Sequence, residues 1–210
     1  LSPIYSDNPY WTFYENYETD TRSRYFGNFA LDYEVNDWLS VMGRFTFDTY
    51  GELQEERTNV GSANVSQYSR YNNNVAEYNY DVILSFNKNL TDKLNLDGNL
   101  GGSLRRNTWS SIFAATNGGL NLAGLYSLSN SVSPINAPTE FDAVKMVDGI
   151  YGRASLGYDN FAYLEGTYRV DRSSSLPKSE NTYDYYSITG SLNLEYLLTF
   201  QFTLVEQSLL

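Results

Sequence analysis

The chain has 210 residues, 14 basic and 25 acidic, with a net charge of −11, no His and no Cys. That composition argues against binding a phosphate backbone, which needs basic surface. It also removes thiol nucleophiles, disulfides, Cys/His metal sites and His general bases together.

The first 22 residues are polar and aromatic-rich, with Asn8, Tyr10, Trp11 and Tyr14 close together. Alternation starts at Tyr25. Tyr25, Gly27, Phe29, Leu31, Tyr33 and Val35 carry no charge, whereas Arg24, Asn28, Asp32 and Glu34 fall between them. Successive side chains of a strand point to opposite faces, so this is a two-faced strand. After "NDW", Leu39, Val41, Gly43, Phe45, Phe47 and Thr49 alternate with Ser40, Met42, Arg44, Thr46 and Asp48. The same pattern predicts strands over 78–87, 94–104, 149–158, 161–171 and 185–195, seven in all. No charge falls on the apolar parity of any of these spans. The tail after Tyr196 alternates once more, but the turn before it lacks Gly, Asn and Asp. An eighth strand over 197–210, or residues missing near Tyr196–Leu198, is the expectation there.

The connections sort by length. Short turns follow strands one, three and five at 35–38, 87–93 and 158–161. Long polar segments follow strands two, four and six at about 51–75, 107–146 and 173–184. In an up-and-down sheet alternate connections share an end, so short turns gather at one end and long loops at the other. Transmembrane barrels show that asymmetry.

The uncharged stripe must be covered by a second protein layer or by lipid. No run approaches the ~20 apolar residues of a spanning helix, but a barrel strand needs only ~9–11 alternating residues. An antiparallel sandwich alternates too. Three features favour lipid: spans longer than the common ~5–6-residue strand, the sorted loops, and aromatics at both ends of the stripe. Tyr33, Phe86 and Tyr158 stand at the short-turn end, and Tyr25, Phe47, Tyr78 and Tyr186 at the loop end. That is the girdle layout of interfacial rings. The 20 Tyr fit the same reading, because their rings suit sites with one dry and one wet end.

Five stretches carry a family resemblance: "DNPYW" (7–11), "RYFGNFALDYEVNDWLSVMGR" (24–44), "LSFNKNLTDKLNLDGNLGGSLRRN" (84–107), "TNGGLNLAGLYSLSN" (116–130) and "YGRASLGYDNFAYLEGTYRVDRSSSLP" (151–177). In order and spacing they resemble the barrel of SusC/RagA-type TonB-linked outer-membrane transporters, from about Asp7 to about Glu195. The resemblance implies an all-β, antiparallel up-and-down transmembrane barrel of about 22 strands filled by a plug. This chain would supply seven or eight of those strands as part of one barrel domain, 1–210. Nothing in it matches the plug or the TonB-binding segment. The family further implies a multi-pass outer-membrane location, energy from the TonB complex and a SusD-like lipoprotein lid. The expected cargo is an oligosaccharide or a peptide, and which of the two is not legible here.

Transport of this kind needs no reactive side chain, cofactor or metal, and no enzyme activity is expected. Asn28, Asp32, Arg44, Asp48, Asp81, Asp97, Arg153, Glu165, Arg169 and Asp171 share the polar parity and would face the lumen, mostly paired with the plug or with each other. Arg on the lipid face would cost ~2–4 kcal/mol at the midplane, so the facing of Arg44 and Arg153 tests the assignment. Asn8, Tyr10, Trp11 and Tyr14 are candidates for cargo or lid contact, since aromatic rings stack on sugars and anchor partners. Loop packing is the plainer alternative for them. Glu52, Glu55 and Glu56 lack the spacing of a calcium loop and read as a solvated loop. "SSS" at 173–175 has no His partner for nucleophilic chemistry. "NGGL" (117–120) predicts a positive-φ turn, and Ile112, Phe113, Leu120, Leu122 and Leu125 predict that this loop packs on something. Two other readings stay open: a soluble Tyr-rich sheet that binds glycans, and a stand-alone eight-stranded structural barrel.

Overall fold

The computed structural model describes residues 5–194. Its elements are α1 (Pro9–Glu15), β1 (Glu18–Asn36), β2 (Leu39–Thr58), β3 (Gln67–Asn89), β4 (Leu94–Ala115), β5 (Asn117–Leu120), a 3-10 turn (Leu128–Asn130), β6 (Ser131–Ser133), β7 (Thr139–Tyr158), β8 (Ala162–Ser173) and β9 (Thr182–Leu192). Seven strands form one antiparallel sheet in the order β1-β2-β3-β4-β7-β8-β9, and β5 pairs with β6 separately. All seven expected strands are present, in chain order and without a crossover. The sheet is open, with β1 and β9 as its edges. No closed eight-stranded barrel forms among the described residues. The tail read as an eighth strand, and the suspected break near Tyr196–Leu198, lie outside them.

The ladder runs further than the alternation. β2 continues to Thr58, β3 starts at Gln67 and β4 reaches Ala115, so much of the segments read as loops is paired strand. Pairing uses backbone groups, which "GELQEERT" and "SRYNNN" supply as well as an amphipathic stretch does. Alternation marks only where one face must be dry. β1 likewise starts at Glu18, inside the segment assigned as loop up to residue 22, and β9 stops at Leu192, short of Glu195.

The hairpin between β7 and β8 turns on Asp159 (φ 49°) and Asn160 (φ 55°), both in the left-handed region. Asn and Asp tolerate that conformation, and two such residues match the twist of the flanking strands. Between β1 and β2, the Asn36 side chain accepts from Trp38 N–H at 3.1 Å and closes the turn.

The chain divides into two compact units. The first comprises the residues up to Gly27, Phe47–Glu77 and Asn107–Val144. The second comprises Asn28–Thr46, Tyr78–Arg106 and the residues from Lys145 on. In the second unit β7 and β8 are in continuous register. Ile150, Gly152, Ala154, Leu156 and Tyr158 face Val170, Tyr168, Gly166, Leu164 and Ala162. β9 continues those five apolar rows with Asp184, Tyr186, Ile188, Gly190 and Leu192. Close packing on this face uses glycine. A Cβ on Gly98 would meet the Arg153 carbonyl oxygen at 2.2 Å and the Phe86 ring at 2.7 Å. Phe45 packs against Tyr80 and Tyr78, with centroids 5.0 and 6.3 Å apart.

Among the described residues only two apolar side chains, Tyr68 and Leu120, are buried, and both belong to the first unit. Among the described residues no second layer of protein covers the stripe. Phe29 is 66% exposed, and Leu31, Tyr33, Val82, Leu100, Leu164 and Leu192 are exposed with it. Leu156 is exposed as well, and Phe45 and Leu84 are only partly covered. In water this face would be strongly unfavourable at roughly 25 cal/mol per Å² of apolar surface. Monomeric soluble proteins rarely present so extended an apolar patch.

Candidate functional site

The polar parity of the strands carries charges that find one another. In the second unit Arg44 pairs with Asp81 at 2.9 Å. Arg153 on β7 reaches Asp97 on β4 at 2.8 Å and Glu165 on β8 at 2.6 Å, so one guanidinium ties three strands. Arg169 pairs with Asp171 at 2.8 Å and lies over the Tyr151 ring at 5.4 Å. In the first unit Arg24 bonds Asp48, with Nε–Oδ1 at 2.7 Å, and Arg22 bonds Glu52 at 2.7 Å. Arg44 and Arg153 therefore stand on the polar face, and each is ion-paired within the sheet. Asn28 and Asp32 lie on the same parity of β1 and are exposed.

The apolar parity ends abruptly at the loop side of β7 and β8. Directly beyond the Ile150–Val170 row, Asp148 and Arg172 are cross-strand partners joined at 2.9 Å. Val170 itself faces Asp184. One row earlier stand Tyr168 and Tyr186, facing each other with exposed rings. Aromatic rings followed by charge are the expected order for a face that leaves a dry environment.

In the first unit, the amino-terminal segment and the two loops 59–66 and 116–138 form one polar assembly. Asn8 caps α1 by accepting from Tyr10 N–H at 2.9 Å, with Pro9 just inside the helix. Trp11 Nε1 donates to Ser62 Oγ at 3.0 Å, and its ring lies over Gly61, whose φ is +104°. The Asn16 amide donates to Asp7 and to Ser62 and accepts from Asn59 N–H at 2.8 Å. Asn8 and Trp11 thus make internal contacts. Tyr10 and Tyr14 present exposed rings, and Phe13 joins them, edge-on to Tyr14 at 5.1 Å.

Behind this segment Arg57, with only 13% of its side chain exposed, lies between the rings of Tyr17 (4.8 Å) and Tyr126 (5.6 Å). It donates to Thr19 Oγ1 and to Glu55, both at 3.0 Å. Glu55 in turn accepts from the Tyr68 hydroxyl. Burial first, then the bond to Glu55, raises the Tyr68 phenol above its ordinary value. Burial also raises Tyr126. The bond from Arg22 holds Glu52 below the usual carboxylate range, while burial and the neighbouring Glu52 raise Asp20. Glu52, Glu55 and Glu56 do not converge, because Glu55 lies on the opposite parity. No metal-holding group of acidic residues occurs among the described residues.

Loop 116–138 behaves as its glycines predict: Gly118 (φ 74°) and Gly119 (φ 110°) are both left-handed. Leu120 is buried, but Ile112, Phe113, Leu122 and Leu125 are exposed. Buried Asn130 holds the loop together, donating to the carbonyls of Leu122 (2.9 Å) and Leu125 (2.7 Å) and accepting from Leu122 N–H. The Asn16–Ser62 and Arg57–Tyr126 contacts join residues 46 and 69 positions apart, and nothing in the sequence announced them. The α1 cap, by contrast, left a signal in "NPYW", Asn before Pro, which the reading of 1–22 as loop missed.

No protein-family model matches the chain, and no curated protein matches it. Among solved structures it is similar to the RagAB peptide transporter, with a TM-score of 0.76 and 14% identity. It is similar also to the RagAB peptide importer in the open-open state (0.80, 15%) and in the closed-closed state (0.81, 14%). Each match covers 89% of this chain and 21% of the other, so the chain spans about a fifth of the length of those structures. What the likeness shows is a fold: an open segment of SusC/RagA-like β-sheet.

Proposed function

We propose that this chain is part of the wall and mouth of an outer-membrane, TonB-dependent import barrel, taking up peptides or oligosaccharides under a SusD-like lipoprotein lid. The observation that carries the proposal is the uncovered apolar stripe backed by a face of paired charges. A lipid-facing barrel wall needs that combination, with hydrocarbon on one side and a wet lumen on the other. The fold of the RagAB importers supports the same architecture. In this reading the polar face lines the lumen and needs no catalytic group. The exposed rings of Tyr10, Phe13 and Tyr14 lie where lid or cargo would meet the loops. A soluble glycan-binding module would have to leave the stripe in water.

The test is fractionation combined with uptake. The protein should partition with outer membranes and need detergent to stay monodisperse. Cells lacking it should fail to take up a labelled pool of peptides or of oligosaccharides. Recovery as a monodisperse soluble protein without detergent would refute the proposal.

A further inference from the structure

On the polar parity of β7, β8 and β9, Tyr151, Arg169 and Tyr185 form one cross-strand row, a cation between two rings. The next row on that face is Arg153, Thr167 and Ser187. Its two hydroxyl side chains are short and hydrogen-bond each other at 2.6 Å. These six side chains border a recess of about 380 Å³, at the small end of the ~300–1,000 Å³ usual for ligand sites. Tyr186 borders it as well, but its ring belongs to the other parity, opposite Tyr168.

The charges around the recess already satisfy one another. Arg153 donates from Nε to Glu165 at 2.7 Å and from Nη1 to Asp97 at 2.8 Å, and its Nη2 lies 2.6 Å from Glu165. Arg169 holds both Asp171 oxygens through Nε, at 3.0 and 2.8 Å, and its Nη groups make no hydrogen bond among the described residues. Its guanidinium lies over the Tyr151 ring. The Tyr185 ring is 55% exposed, with no stacked ring or cation over its face among the described residues. Two guanidiniums therefore face three carboxylates. An anionic ligand would meet no uncompensated cation, and a cationic one would compete with an existing pair. The groups left over are an aromatic face, two hydroxyls that donate and accept, and the Arg169 Nη donors. That set suits an uncharged polyol with one apolar side, since a pyranose lays its C–H face on a ring and turns its hydroxyls outward. An extended peptide instead pairs its backbone with a strand edge, and the recess lies on a face.

We infer that the recess is a subsite for one uncharged sugar ring of an oligosaccharide, stacked on Tyr185 and hydrogen-bonded by Thr167, Ser187 and Arg169. The inference rests on the transport reading, which places the polar face in the lumen. It selects sugar over peptide, and neutral sugar over acidic.

The test is binding by the detergent-purified protein, read by biolayer interferometry. The probes are immobilised maltohexaose, cellohexaose, xylohexaose and mannohexaose, with oligogalacturonate as the acidic sugar and a tryptic casein digest as the peptide pool. At least one neutral hexasaccharide should bind. Tyr185→Ala should weaken that binding about tenfold or more, the loss of a central aromatic anchor. Tyr185→Phe keeps the aromatic face and should retain binding, and Tyr186→Ala, on the opposite face, should leave it unchanged. Thermal unfolding of each variant separates lost binding from lost folding, and Tyr185→Phe supplies the comparison if Tyr185→Ala does not fold. Failure of every neutral hexasaccharide to bind would overturn the subsite, as would equal losses in Tyr185→Ala and Tyr186→Ala. So would capture of oligogalacturonate or of casein peptides that Tyr185→Ala abolishes. A protein that stays monodisperse without detergent would overturn the transport reading itself, which none of the binding outcomes does.

Discussion

Ile188 and Thr189 are neighbours on β9 with opposite surroundings. Ile188 is 79% exposed and occupies the middle of the five apolar rows, opposite Gly166. Thr189 points to the other face, opposite Glu165. The same substitution at both, to arginine, therefore separates facing from chemistry. At a lipid midplane Ile188→Arg should cost about 2–4 kcal/mol, roughly a 30- to 700-fold shift at 1.4 kcal/mol per tenfold. Thr189→Arg places a cation beside the Glu165 carboxylate, which already serves Arg153 at 2.6 Å. An added partly exposed pair contributes about 0–1 kcal/mol, so this variant should stay within about 1 kcal/mol of the wild type. The assay is denaturant titration of the protein folded into lipid vesicles, with the assembled fraction in outer membranes as the cellular counterpart. Equal penalties at the two positions would refute the facing, and a larger penalty at Thr189 would invert it.

Three further outcomes follow from the same geometry. Arg153→Met leaves Asp97 and Glu165 without their shared cation and should lower stability by about 1–2 kcal/mol, given the partial exposure of all three; thermal unfolding in detergent reads it. Gly98→Ala drives a Cβ into the Arg153 carbonyl and should cost at least the 1–3 kcal/mol typical of overpacking, whereas Gly166→Ala should be neutral or slightly stabilising in the same assay. Because the Tyr68 and Tyr126 phenols are raised in the folded state, the stability they contribute is fully present below about pH 10, the ordinary phenol value, and is lost as pH rises through their folded values. The loop assembly should loosen in that alkaline range, seen as faster amide exchange in 116–130, and Tyr68→Phe should flatten the response.

What could be read in the sequence was whatever the environment imposes at short range. Charge is excluded from every second position between Tyr25 and Val35 because one face must be dry, and that constraint located the strand and its parity. Arg44 and Arg153 fall on the polar parity and are ion-paired there, though the parity did not say that Arg153 would span Asp97 and Glu165. Where neither face has to be apolar the signal vanishes, so the strand continuing from Gly51 to Thr58, which covers Glu52 and Arg57 by ion pairs and rings, read as loop. The contacts among Trp11, Ser62, Arg57 and Tyr126 depend on how distant segments meet, and local spacing holds no trace of that. The short helix is an intermediate case: Asn8 before Pro9 is a start signal, but seven residues are too few for a periodicity to appear.

The lack of native cysteine allows a direct measurement of what touches the stripe. Single cysteines at Leu84, Leu156 and Ile188, and at Ser85, Ser187 and Thr189, would each carry a nitroxide label in the membrane-embedded protein. Collisions with lipid-soluble oxygen and with a water-soluble nickel chelate are then compared by electron paramagnetic resonance. The account predicts oxygen access without nickel access at the first three positions, and the reverse preference at the second three. Labels at Leu84, Leu156 and Ile188 shielded from both reagents would mean that protein covers the face, and would contradict it.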